Sequence, residues 1–135
     1  MTAFELRPIG VVSSELIDRD DAPKQGDEGG PDAWLVFEPE VEDALRDLQP
    51  GTEIIVLTWL HLARRNILRV RPRDNPANAK RGVFSTRSPD RPNPVGMHRV
   101  RILDVDGLRL RVNDLEAVDG TPIIDIKPVL DGLDR

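Results

Sequence analysis

Cysteine is absent from the 135 residues, which excludes disulfides, thiolate zinc sites and cysteine nucleophiles and points to the reducing cytoplasm of a bacterium or archaeon. Tyrosine is also absent and aromatics make up only 4% of the chain, so Ile, Leu and Val have to fill the core. The two histidines, His61 and His98, have no carboxylate cluster beside them, and no metal site is expected. The longest apolar stretch, residues 54–60, is far short of the ~20 residues that cross a bilayer. The N-terminal residues lack the basic-then-apolar order of a signal peptide, and no membrane association is expected. Neither a Gly-x-Gly-x-x-Gly turn nor a Gly-Lys-Ser/Thr loop occurs, so a nucleotide-like ligand would need a route other than a doubly wound fold or a P-loop.

The charge is small in total and uneven in place. The net charge is −5, yet residues 62–101 carry eleven Lys or Arg against two Asp, and the acidic excess lies elsewhere. A basic segment inside an acidic chain suggests a local anion site; the plainer alternative is a basic face balanced by acidic neighbours. Arg64, Arg65, Arg69, Arg71 and Arg73 fit either a phosphate-tracking run or a solvated strand face.

Residue periodicity predicts a β-rich single domain. Strands are expected over residues 6–14, 33–38, 53–62, 67–71, 99–105, 108–112 and 122–127, with 53–62 buried on both faces and Trp59 in the core. Asp106-Gly107 reads as a type I′ hairpin turn between two of them. A short helix is expected over residues 39–48, from Pro39 and the spacing of Val41, Ala44, Leu45 and Leu48. Residues 18–32, with three Gly and two Pro, read as a long loop of the kind that is functional or disordered. The sum is a single-sheet antiparallel β-barrel of about seven strands.

The unusual stretch is Gly82-Val83-Phe84-Ser85-Thr86-Arg87-Ser88-Pro89-Asp90-Arg91-Pro92-Asn93-Pro94-Val95-Gly96. Pro89, Pro92 and Pro94 fix their own φ and push Ser88, Arg91 and Asn93 out of the helical region. A backbone stiffened in advance loses less entropy on binding. Arg87 and Arg91 are planar cations suited to carboxylate or phosphate, and Thr86, Ser88 and Asn93 add neutral donors and acceptors. The opposing possibility is a rigid surface loop held by its own Arg–Asp and Asn–backbone bonds.

This stretch resembles the first signature of the TrmO family, also called TsaA-like proteins. Val118-Asp119-Gly120-Thr121-Pro122-Ile123-Ile124-Asp125-Ile126-Lys127-Pro128 resembles the second. Weaker matches are Pro8 to Val12, Pro23-Lys24-Gln25 and Trp59-Leu60-His61. The resemblance implies a barrel that forms a homodimer and binds S-adenosylmethionine near the subunit interface. The activity it implies is methylation of the exocyclic nitrogen of threonylcarbamoyl-adenosine beside the tRNA anticodon. Carried over residue by residue, it places cofactor contacts on Pro23, Lys24 and Gln25, on His61 and Leu62, on Arg87 and Met97, and on Asp119, Gly120, Thr121 and Pro122. The loop at 18–32 would close over the cofactor.

The chain departs from the pattern at Val129, where the family usually has Tyr. It is expected to be one domain over residues 1–135, without the additional C-terminal domain of larger bacterial members. Two alternatives stay open: a methyltransferase of this fold acting on a small molecule, and a non-catalytic module that binds S-adenosylmethionine. Asp125 is a candidate proton acceptor, or simply the ion-pair partner of Lys127.

Overall fold

The computed structural model describes residues 2–17, 30–72 and 75–130. Six strands close an antiparallel barrel: β1 (Gly10–Ser13), β2 (Ala33–Phe37), β3 (Glu53–Trp59), β6 (Val95–Asp106), β7 (Arg109–Val112) and β8 (Pro122–Pro128). They run around the barrel in the order β1-β2-β7-β6-β3-β8, and β8 pairs back onto β1. The other two, β4 (Arg69–Val70) and β5 (Arg81–Gly82), form a separate two-stranded ribbon. A closed sheet has no free edge, and a small barrel is filled by its own side chains. Val12, Leu35, Phe37, Ile54, Val56, Val100, Ile102, Leu110, Val112 and Ile123 fill this one, as alternate residues of each strand.

Several expectations are corrected. Residues 39–48 hold a 3-10 helix, Pro39–Leu45, whose bonds step three residues, as from Val41 N–H to the Glu38 carbonyl. Val41, Leu45 and Leu48 still pack on the core. The β6–β7 turn is Gly107-Leu108, one residue later than Asp106-Gly107, since Asp106 pairs with Arg109. Of the two turn residues only Gly107 has positive φ, at 58°, which is the II′ rather than the I′ pattern. Strand β3 is not buried on both faces: Ile54, Val56 and Thr58 point inward, while Ile55, Leu57 and Trp59 are half-exposed on the outside. The strand expected over 67–71 is the two-residue β4, outside the barrel. Strand β6 begins at Val95, four residues before the expected start, and so carries Met97.

All six barrel strands meet at one mouth. There β1 ends opposite the start of β2, β2 starts opposite the end of β7, and β3 ends between the starts of β6 and β8. Residues 113–118 cross this mouth with Leu115, Ala117 and Val118 buried. Beneath them runs a buried polar chain. The His98 Nδ1 lies 2.7 Å from Glu116 Oε1, and its Nε2 lies 2.7 Å from the Thr58 hydroxyl. An ionised carboxylate only accepts, so Nδ1–H donates to Glu116, and in the neutral ring Nε2 accepts from Thr58. Gly96 leaves room for this chain: a Cβ there would meet the Thr58 Oγ1, the His98 Nε2 and Leu60 Cδ2. On the barrel's far side Arg99, through its hydrogen bond and charge, and Arg101 behind it hold the Glu53 carboxyl below the usual carboxylate range.

Candidate functional site

At the same mouth a groove of about 730 Å³ opens on the outer face, lined by Phe4, Leu6, Trp59, Val95, Pro122 and Ile124, with Arg65 and Asn93 at its edge. It lies where the end of β3, the start of β6 and the start of β8 come together. Trp59 is therefore not a core residue. Its ring faces outward and carries the Arg65 guanidinium 5.1 Å from its centroid.

The proline-rich loop, residues 86–94, is braced from within and from the side. Arg91 donates to the carbonyls of Val83, Thr86 and Ser88 at 3.0–3.1 Å. Asp90 is buried and accepts from both the backbone N–H (2.8 Å) and the guanidinium (3.1 Å) of Arg64. Arg65 donates to the Pro92 carbonyl at 2.7 Å and the Asn93 side-chain oxygen at 3.0 Å. The Thr86 hydroxyl donates to Val83 O and accepts from Ser88 N–H, and the Ser88 hydroxyl accepts from Asp90 N–H. Three arginines thus hold the loop's shape. This corrects the expectation that Arg91 grips a ligand alongside Arg87, and it occupies much of the polar capacity of Thr86, Ser88 and Asn93. Arg87 differs: it is exposed and makes no hydrogen bond or ion pair with any described residue. The loop holds one cation free at a fixed place.

The other expected residues fall around the same mouth. Met97 lies on the outer face of β6, 48% exposed and opposite Leu57. His61 and Leu62 occupy the exposed turn after β3, not a strand. Asp119 to Pro122 form the turn into β8, with Gly120 at φ 83° and no atom within 4 Å of where its Cβ would stand. Asp119 is exposed, and its Oδ1 accepts from Ser14 N–H at 3.0 Å, which leaves Oδ2 for another donor. Thr121 is buried and donates its hydroxyl to Val118 O, which commits that proton within the turn. Pro23, Lys24 and Gln25 lie outside the described residues, but the described flanks of their segment reach this mouth: Leu16 O accepts from Asp119 N–H, and Gly30 lies against Leu115. Asp125 pairs with Lys127 at 3.3 Å. Sequence reasoning missed the Thr58–His98–Glu116 chain, whose members are 40 and 18 residues apart and share no local pattern.

Residues 11–135 match the family model described as the tRNA-methyltransferase O N-terminal domain. The chain belongs to this family. It is 50% identical over 131 residues to a probable S-adenosyl-L-methionine-binding protein of Methanothermobacter thermautotrophicus, covering 97% of this chain and 93% of that one. It is 34% identical over 139 residues to the tRNA (adenine(37)-N6)-methyltransferase of Escherichia coli, covering 96% of this chain and 59% of the relative. Crystal structures of TrmO share the fold: one superposes with a TM-score of 0.80 at 29% identity, and TrmO from Pseudomonas aeruginosa with 0.77 at 26%. Each covers 98% of this chain, which spans 60% of the length of each. Family members thus range from proteins of this length to considerably longer ones. Among the described residues no helix is long and apolar enough to cross a membrane.

Proposed function

We propose that this chain is an S-adenosylmethionine-dependent methyltransferase that methylates the exocyclic nitrogen of threonylcarbamoyl-adenosine next to the tRNA anticodon, in the cytoplasm. The observation that carries the reading is the uncommitted Arg87 on a loop that three other arginines make rigid. The donor set fits the cofactor. The Arg87 guanidinium suits its carboxylate. The free oxygen of Asp119 suits an ammonium or ribose hydroxyl. Met97 and Leu62 offer apolar surface, and the open space over Gly120 lets a ligand approach the backbone. His61 precedes Leu62 in the exposed turn after β3, and Thr121 and Pro122 complete the turn into β8. Pro23, Lys24 and Gln25 are proposed as further contacts on the strength of their motif.

When bound, S-adenosylmethionine supplies an electrophilic methyl group. The work of these residues is to hold that methyl in line with the acceptor nitrogen at near-attack distance, and positioning of this kind supplies several kcal/mol of a barrier. The stiff loop serves that purpose, because a group that does not have to be ordered on binding loses less free energy.

We also propose a homodimer through the outer face of β3 and β6, where Trp59, Leu57, Val95 and Met97 form a half-exposed apolar patch at the groove. Patches of this kind mark association sites, and Met97 would place the cofactor at the interface. Sedimentation of a monomer at micromolar concentration would refute the dimer.

Nucleoside mass spectrometry on tRNA tests the activity. A strain lacking this chain should lose the methyl group from threonylcarbamoyl-adenosine, and the purified protein with cofactor should restore it. An unchanged nucleoside profile would defeat the tRNA assignment in favour of a small-molecule acceptor.

A further inference from the structure

The basic residues of 62–101 do not all do the same work. Arg64, Arg65 and Arg91 brace the proline loop, Arg99 and Arg101 flank Glu53, and Arg71 donates to the Asn78 carbonyl. Arg69, Lys80, Arg81 and Arg87 remain, all exposed and with no side-chain hydrogen bond or ion pair among the described residues. Two of these four, Arg69 and Arg81, sit on the β4–β5 ribbon, and Lys80 immediately precedes β5. No carboxylate occurs among the described residues from Ile67 to Pro89, and Arg73 and Asp74, outside the described residues, cancel in charge. Like charges held together without partners repel, so folding does not account for them.

We infer that the β4–β5 ribbon is an RNA-gripping finger, which takes backbone phosphates on Arg69, Lys80 and Arg81 and stacks a base on Phe84. The inference rests on the RNA substrate proposed above and names the surface that holds it. Three features favour RNA over other occupants. Arg69 pairs with Gly82 and Val70 with Arg81, so the two arginines stand on adjacent rungs and project from opposite faces. Cations on both faces suit phosphates that approach from two sides, as in a folded stem-loop, rather than a flat acidic surface. Phe84 is 80% exposed at the ribbon's root, with the Arg91 guanidinium 5.9 Å from its centroid. An exposed aromatic beside arginines is the stacking platform that unpaired bases use. A second copy of the same face would set like charges against one another.

The finger is also tied to the site. Val83 N–H donates to the Leu68 carbonyl, and Arg91 holds the Val83 carbonyl. RNA gripped by the ribbon is therefore delivered to the loop that presents Arg87.

The test uses the full chain and a fluorescent anticodon stem-loop RNA, with binding read by anisotropy from about 50 to 200 mM salt. The variants are R69A/K80A/R81A, its charge-keeping counterpart R69K/R81K, and F84A. The triple variant should bind more weakly, and its log K against log salt should be shallower by about 2–3, near 0.7–0.9 for each phosphate no longer neutralised. F84A should weaken binding by roughly 5- to 150-fold, the range of base–aromatic stacking. R69K/R81K should keep the wild-type salt slope, and it and the triple variant should bind S-adenosylmethionine as wild type does. If wild type binds the RNA and the triple variant matches it in affinity and slope, the finger is refuted and the substrate reading stands. If wild type binds no RNA at this range of salt, the substrate reading fails and the finger with it.

Discussion

Replacing Arg91 with alanine is expected to weaken S-adenosylmethionine binding by about 10- to 100-fold, although Arg91 itself points into its own loop. Its guanidinium spans three carbonyls, those of Val83, Thr86 and Ser88. Hydrogen bonds from a charged donor contribute roughly 1.5–3 kcal/mol each when buried. Here the group is half-buried, so a total loss of about 1.4–2.8 kcal/mol, or one to two decades in affinity, is the reasonable scale. The loss should fall on the loop rather than the barrel, because none of the three acceptors belongs to a barrel strand. Global stability in urea should therefore drop by less than the binding free energy does. Arg91→Lys should not rescue binding, since one compact ammonium cannot reproduce a planar fork across three acceptors. Unchanged affinity in R91A, measured by calorimetry, would show that the loop's rigidity has no part in ligand capture.

Gly96→Ala is the second large effect, and it acts on stability. The new Cβ would sit 2.7 Å from His98 Nε2 and 3.0 Å from Leu60 Cδ2, and closer still to the Thr58 hydroxyl. Thr58 and His98 are buried and hydrogen-bonded to each other, so neither can turn aside without abandoning a partner. Overpacking costs about 1–3 kcal/mol, and a buried polar group left unsatisfied costs about 1–3 kcal/mol more. A loss of ~3–5 kcal/mol in urea unfolding is expected from the two together. Gly82→Ala serves as the control: its Cβ would meet nothing within 4 Å, and surface changes of that sort stay within about 0.5 kcal/mol. Equal stability of the two variants would mean that the polar chain under the mouth is looser than its 2.7 Å bonds imply.

The barrel was legible where one face of a strand is buried and the other wet. Strand β7 is the clean case, with Leu110 and Val112 inward and Arg109 and Arg111 outward. Strand β3 misled because its outer residues, Ile55, Leu57 and Trp59, are apolar too; an unbroken apolar run looks the same whether its second face meets the protein's own core or another surface. The start of β6 was hidden by the prolines just before it, which suppress any periodic signal up to Pro94. A 3-10 turn and an α-helical turn both bring residues three apart together, and hydrogen-bond step length leaves no trace in composition.

The candidate site was legible as a stretch of chain and not as a division of labour. Residue types marked the loop as stiff and cationic. They could not say that Arg91, Arg64 and Arg65 turn inward while Arg87 turns out, because that depends on where Val83, Asp90 and Pro92 come to lie. The same holds for Thr58, His98 and Glu116, which meet only once β3, β6 and the 113–118 crossing are in place.

Titrating S-adenosylmethionine into wild type and Arg87→Ala by calorimetry bears most directly on the account. A rigid loop that keeps one arginine free predicts saturable binding to wild type and, for removal of one charge-assisted bidentate interaction of about 1.5–3 kcal/mol, a fall of roughly 10- to 150-fold in the variant. Equal affinity in the two proteins, or no heat of binding in wild type, would contradict it.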